Sequence, residues 1–131
     1  MTDIFFGDPD NPIAPSKAII HDNDTFEVQW SARNGSAADV DTFIDRLVIT
    51  SIPEGCPGSD DADHPVVYDS GTDGDPDDFT EPALAPGEAG PLLHPTVGPF
   101  TAGSYRLTVT LADDLGTGDA TFNCVTIVAA P

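Results

Sequence analysis

Between Ala102 and Leu111 the side chains alternate without a break. Tyr105, Leu107, Val109 and Leu111 fall on one side, and Ser104, Arg106, Thr108 and Thr110 on the other. Period two is the spacing of a β-strand, and an apolar row backed by a polar row belongs to a strand with one face in a core and one in water. Phe26, Val28 and Trp30, alternating with Glu27, Gln29 and Ser31, form a second strand of this kind that ends at Asn34-Gly35. Both suit a half-buried antiparallel sheet.

The rest of the chain is organised by its breakers. Residues 1–20 form a leading edge segment punctuated by Gly7-Asp8-Pro9 and Asn11-Pro12, with a short strand expected at Ala18 to His21. In Ser36 to Leu47, the positions Val40, Phe43, Ile44 and Leu47 also fit a helical spacing. The β-branched run Val48-Ile49-Thr50 favours a loop, with room for one helical turn, and then a strand from about Thr42 to Ile52. Asp45 would share the apolar face of that strand, so it must lie at the rim or be paired. Residues 56–82 read as an acidic loop region interrupted by an edge strand at Val66-Val67-Tyr68. A strand near Leu92 to Val97 is confined to an edge by Pro95. Asp113 to Asp119 reads as a turn, and Ala120 to Val128 as the last strand. The expected fold is all-β: an immunoglobulin-like antiparallel β-sandwich of about seven strands with Greek-key connections, in a single domain over residues 1–131. Tyr105, following a Gly turn at the start of a late strand, is the candidate tyrosine corner of such a sandwich.

With 23 acidic side chains against 4 Lys and Arg, the net charge is -19. Such a surface repels phosphate backbones and anionic lipid, which argues against nucleic acid and membrane partners. No apolar run is long enough to span a bilayer, and no signal peptide is recognisable at Met1-Thr2-Asp3-Ile4. Cys56, in a turn-like Pro-Glu-Gly-Cys-Pro-Gly stretch, and Cys124, in an apolar run, allow one disulfide or none. A bridge would argue for an oxidising compartment.

Four segments resemble the bacterial cell-adhesion-related domain, the immunoglobulin-like module known as CARDB. They are Ala32-Arg33-Asn34-Gly35-Ser36-Ala37, Phe43-Ile44-Asp45-Arg46-Leu47-Val48-Ile49, Leu84-Ala85-Pro86-Gly87-Glu88 and Ala102-Gly103-Ser104-Tyr105-Arg106-Leu107-Thr108-Val109. Their order and spacing carry the resemblance, which spans about residues 20 to 128. The chain differs from the family pattern in its apolar last strand and its longer, more acidic 56–82 region. The resemblance implies a binding or spacer module at cell surfaces, not an enzyme.

The residues lead to the same expectation about catalysis. No nucleophile elbow, zinc-protease helix or phosphate-binding glycine loop occurs, and carboxylates are so abundant that no pair stands out. For calcium, Asp73, Asp75, Asp77 and Asp78, preceded by Asp69 and followed by Glu81, form the candidate site, because closely spaced acids can converge on a hard cation. They depart from an EF-hand loop in having Asp78 where the turn Gly stands, and the alternative is a solvated acidic loop. A second acidic cluster, Asp60-Asp61-Ala62-Asp63-His64, is a weaker candidate. His21, His64 and His94 lack zinc spacing and read as surface or rim residues. Phe5, Phe6, Tyr68 and Phe79 lie outside the strongest strand patterns, so stacking on sugar rings is one reading of them and core or subunit anchoring another.

The expected function is a non-enzymatic, surface-exposed structural or adhesion module that presents loops and sheet edges to a protein or glycan, with no cofactor other than calcium as a candidate ion. Its expected location is extracellular, on a cell surface or on a particle. The alternatives are a decoration subunit of a virion, tail or filament contacting neighbouring subunits, motivated by the Met1 start without a leader, and a carbohydrate-binding module.

Overall fold

The computed structural model describes residues 4–7, 12–17, 19–56, 64–70, 79–113 and 116–130, without the side chains of 112, 113, 116–119 and 123. These residues form eleven strands: β1 (Ile4–Phe6), β2 (Ala14–Pro15), β3 (Ile20–His21), β4 (Phe26–Gln29), β5 (Ala32–Asn34), β6 (Phe43–Ser51), β7 (Val66–Asp69), β8 (Phe79–Glu81), β9 (Thr96–Val97), β10 (Gly103–Asp113) and β11 (Gly116–Val128). No helix occurs among the described residues. One layer is a six-stranded sheet in the order β3-β11-β10-β6-β7, with β8 also on β6. β3 runs parallel to β11, and every other pairing in that sheet is antiparallel. The opposing layer comprises β2-β4-β9 and β1-β5, extended by bridges from Trp30 to Leu93 and from Arg33 to Ala89.

The alternation in the sequence becomes the core between these layers. Tyr105, Leu107, Val109 and Leu111 from β10 meet Phe43, Leu47 and Ile49 from β6, and both rows face Phe26, Val28, Trp30 and Ala32. Burying each of the larger aliphatic side chains contributes about 1.5–3 kcal/mol. β10 and β11 remain paired as far as Asp113 and Gly116, so the hairpin turn is tighter than the Asp113–Asp119 span expected from sequence. A register shift between Tyr105 and Leu107 lets both Phe122 and Val125 of β11 lie beside core residues of β10.

Pro95 shapes its segment as a residue without an N–H must. Its carbonyl accepts from Val28 N at 3.1 Å, and a regular strand begins only at Thr96. The ambiguous stretch after Gly35 is extended or bent, and Val40 exchanges both backbone hydrogen bonds with Leu84 at 2.9 Å. At the start of β10 the Tyr105 hydroxyl donates to Thr101 O at 2.6 Å, while its ring packs 5.6 Å from that of Phe100. One strand was hidden in the sequence. Phe79–Glu81 lies in the stretch read as an acidic loop, yet it pairs with β6 and carries a fully buried glutamate.

Candidate functional site

Asn34 closes β5 with its side chain turned inward, 0% exposed. Its Nδ2 donates to Ala38 O at 2.7 Å and Leu84 O at 3.1 Å, while Oδ1 accepts from Ser36 N at 2.9 Å and Ser36 Oγ at 2.8 Å. Its backbone carbonyl accepts from Gly87 N, and its N–H donates to Glu88 O. The segment it grips is a Pro-Gly turn: Glu88 N bonds Ala85 O at 2.9 Å, Pro86 and Gly87 occupy the corner, and Gly87 has a φ of 76°. A type II turn requires that positive φ, which glycine adopts without strain. Two segments that resemble CARDB, separated by some fifty residues, are thus one contact. Replacing Asn34 by Ala strands buried carbonyls and should cost about 2 kcal/mol in urea unfolding. A loss below about 0.5 kcal/mol would show that these bonds contribute little.

Beside this contact lies a buried acidic cluster. Asp45, 0% exposed on β6, accepts from Trp30 Nε1 at 2.7 Å, so it is paired in the core and does not lie at the rim. Glu81, also 0% exposed, pairs in register with Phe43, two residues from Asp45 along the same face of β6. Neither Glu81 carboxyl oxygen has an N–H or O–H partner among the described residues. Two carboxylates accept but cannot donate, so only a proton held by one can join them. Burial first, and then the hydrogen bond and charge of Asp45, push Glu81 up to about 9. At neutral pH Glu81 is therefore protonated. Both groups are sealed from solvent and cannot meet a substrate.

The surface feature of this region is a shallow depression of about 290 Å³ lined by Phe79, Leu92, Leu93, His94 and Pro95. It lies where β8, from one layer, meets the 92–95 segment of the other. Leu93 is held by two backbone bonds to Trp30, and Trp30 contacts Phe79 edge-on with ring centroids 5.5 Å apart. Leu92 is 55% exposed at the rim. The volume suits one side chain or one sugar ring better than a large ligand. His94 lies 3.6 Å from Glu27, so an acid borders the apolar floor. A second exposed element is β7 at the sheet edge, where Val66 is 55% and Val67 38% exposed. Arg46 holds Asp69 at the end of β7 by two 2.8 Å bonds.

The other expected site residues are dispersed. Cys56 and Cys124 are joined by a 1.97 Å S–S bond that ties the loop after β6 to β11. His21, His64 and His94 each lie beside a different acid: Asp24, Glu54 and Glu27. The backbone N–H of His21 donates to Asp24 and lowers its pKa. Phe79 and Tyr68 pack against the core, whereas Phe5 on β1 is 46% exposed. Asp73, Asp75, Asp77 and Asp78 lie outside the described residues, as do Asp60, Asp61 and Asp63. Among the described residues, no three His, Cys, Asp or Glu side chains converge as a metal site. Glu81, expected from sequence on the flank of the calcium candidate because a lone acid between a threonine and a proline reads as loop, is instead buried on β8 beside the core.

Two all-β layers packed around one apolar core, with an acid pair inside and a small apolar depression at their open edge, define a β-sandwich. No protein-family model matches the chain, and no curated protein matches it. Among solved structures it is similar to the CARDB domain of a Pyrococcus furiosus protein, a crystal structure described as a complex with di-metal ions. The identity is 18%, the TM-score 0.58, and the match covers 90% of each chain. The resemblance to CARDB carried by Asn34-Gly35, Asp45-Arg46, Pro86-Gly87 and Tyr105 therefore extends to the fold. The chain is also similar to part of a β-glucosidase, EmGH1, from Erythrobacter marinus, with 15% identity and a TM-score of 0.53. That match covers 95% of this chain and 15% of the enzyme.

Proposed function

We propose that this chain is a non-enzymatic, surface-exposed adhesion or structural module that binds a protein or glycan through its loops and sheet edges. The observation that carries this reading is the likeness to a CARDB domain over 90% of both chains. We further infer an immunoglobulin-like Greek key in which the eleven segments compose about seven broken strands. The parallel β3–β11 pairing and the position of β10 between β6 and β11 support that topology. The docking point is the depression around Phe79, Leu92 and Leu93, a rigid apolar floor at the edge of the sandwich. The Cys56–Cys124 bond supports an oxidising, extracellular location. Asp73, Asp75, Asp77 and Asp78 remain the proposed calcium ligands, and the di-metal complex of the Pyrococcus furiosus domain gives that proposal a precedent.

The test combines glycan and peptide arrays with light scattering. Binding to array members should fall at least tenfold in Leu92→Asp while the melting temperature stays unchanged, because Leu92 is exposed. Arrays without hits would count against the adhesion reading, and undiminished binding by the variant would exclude the depression. Size-exclusion chromatography with light scattering, with and without calcium, should show a monomer with a calcium-raised melting temperature. A calcium-insensitive monomer would count against both the metal site and a self-assembling particle subunit.

A further inference from the structure

We propose that Asp45 and Glu81 share one proton and act as an alkali-released latch that clamps β8, and the wall of the surface depression, onto the core. Burial and strand register place the two carboxyls on one inward face, where a shared proton can hold them together. Glu81 is fully buried, with no N–H or O–H partner among the described residues, and the group acting on it is the Asp45 carboxyl. Among the described residues, Asp45 is the only charged group found to act on Glu81, and the neighbours found on its other sides are uncharged. Phe43 pairs with Glu81 in register, and Gly90 passes so close that a Cβ there would stand 3.0 Å from Glu81 Oε1. Gly90 N is itself bonded to Ala32 O at 2.8 Å, which ties this backbone to β5.

With the proton present, the Glu81 carboxyl donates to Asp45, and Asp45 also accepts from the Trp30 indole. Once the proton is lost, two buried carboxylates face each other, and separating them requires β8 to leave β6. β8 carries Phe79, which packs on Trp30 and lines the depression. The latch therefore couples pH to the shape of that surface. It rests on the pair's geometry and stands whether or not the depression binds a partner.

The sign follows from linkage. Glu81 ionises near 4.5 when unfolded and near 9 when folded, so between those values the native state holds a proton that the unfolded state has released. Stability conferred by the latch is complete below about 4.5 and is lost as pH rises toward about 9, by at most tenfold in the unfolding constant per pH unit.

Carboxyl carbon NMR on the full chain should give Glu81 a titration midpoint above pH 7, whereas a midpoint below about 5 would overturn the proposal. Trp30 is the one tryptophan of the chain, so its fluorescence reports the latch directly. Its emission should shift between pH 7 and 10 in the wild type and stay constant in Glu81→Gln, whose amide donates to Asp45 at every pH. Parallel pH curves for the two proteins would also refute the latch. In Asp45→Asn the Glu81 midpoint should fall by more than one unit, and an unchanged midpoint would show that no proton is shared.

Discussion

Replacing Cys56 and Cys124 together by Ser should lower stability by about 4 kcal/mol. The bond joins residues separated by 68 positions and encloses β7, β8, β9 and β10. Closing a loop of that length removes enough conformational freedom from the unfolded chain to stabilise the fold by about 4 kcal/mol. The native side loses little, because β11 is held independently by its long ladder with β10. Urea unfolding of the oxidised wild type and the double variant measures the difference. The variant should also unfold with a steeper urea dependence, since its denatured chain is free to expand. A difference under about 1 kcal/mol would mean that the denatured chain is already compact without the bond. Cys56 is exposed, so a thiol reductant should reach the bond in the folded protein and reproduce the variant's melting curve.

Tyr105→Ala should cost on the order of 3 kcal/mol, enough to lower the melting temperature by roughly 10 °C. Two effects add at this position. The ring, 4% exposed, leaves a cavity beside Phe100, which in turn contacts Phe26 across the sandwich at 6.2 Å. The lost hydroxyl leaves the Thr101 carbonyl without its 2.6 Å donor. Tyr105→Phe separates them: it keeps the ring and should cost about 1 kcal/mol. Should the melting temperature of Tyr105→Ala match the wild type, the residue would not be a corner. A Phe variant as unstable as the Ala variant would assign the effect to the hydrogen bond alone.

Much of the sandwich is legible in the sequence because burial writes itself as period two. The rows Tyr105-Leu107-Val109-Leu111 and Phe26-Val28-Trp30 are core rows in the structure, and β6 spans Phe43–Ser51 where a strand from about Thr42 to Ile52 was expected. Short segments leave weaker marks. β8 is three residues long and ends on a charge, too short for alternation to register, and only its pairing with β6 makes it a strand.

The candidate site was legible in pieces. Asp45 on an apolar face called for a partner, and the rule that buried acids are paired applies to it. That the partners would be an indole fifteen residues earlier and a glutamate from the acidic region could not be read from spacing, because both come from elements that meet only when the layers pack. The same holds for Asn34 and the Pro86-Gly87 turn, recognisable separately as turn chemistry and joined only by the fold.

Sequence by itself determined the all-β class, the inward faces of the long strands and the acid that needed a partner, since each follows from local alternation or from the cost of burying a charge. Tertiary structure alone decided the sheet order, the burial of Glu81 against Asp45, and the depression where β8 meets the 92–95 segment. Those are contacts between residues far apart in the chain, and no local preference encodes which distant neighbour a side chain will meet.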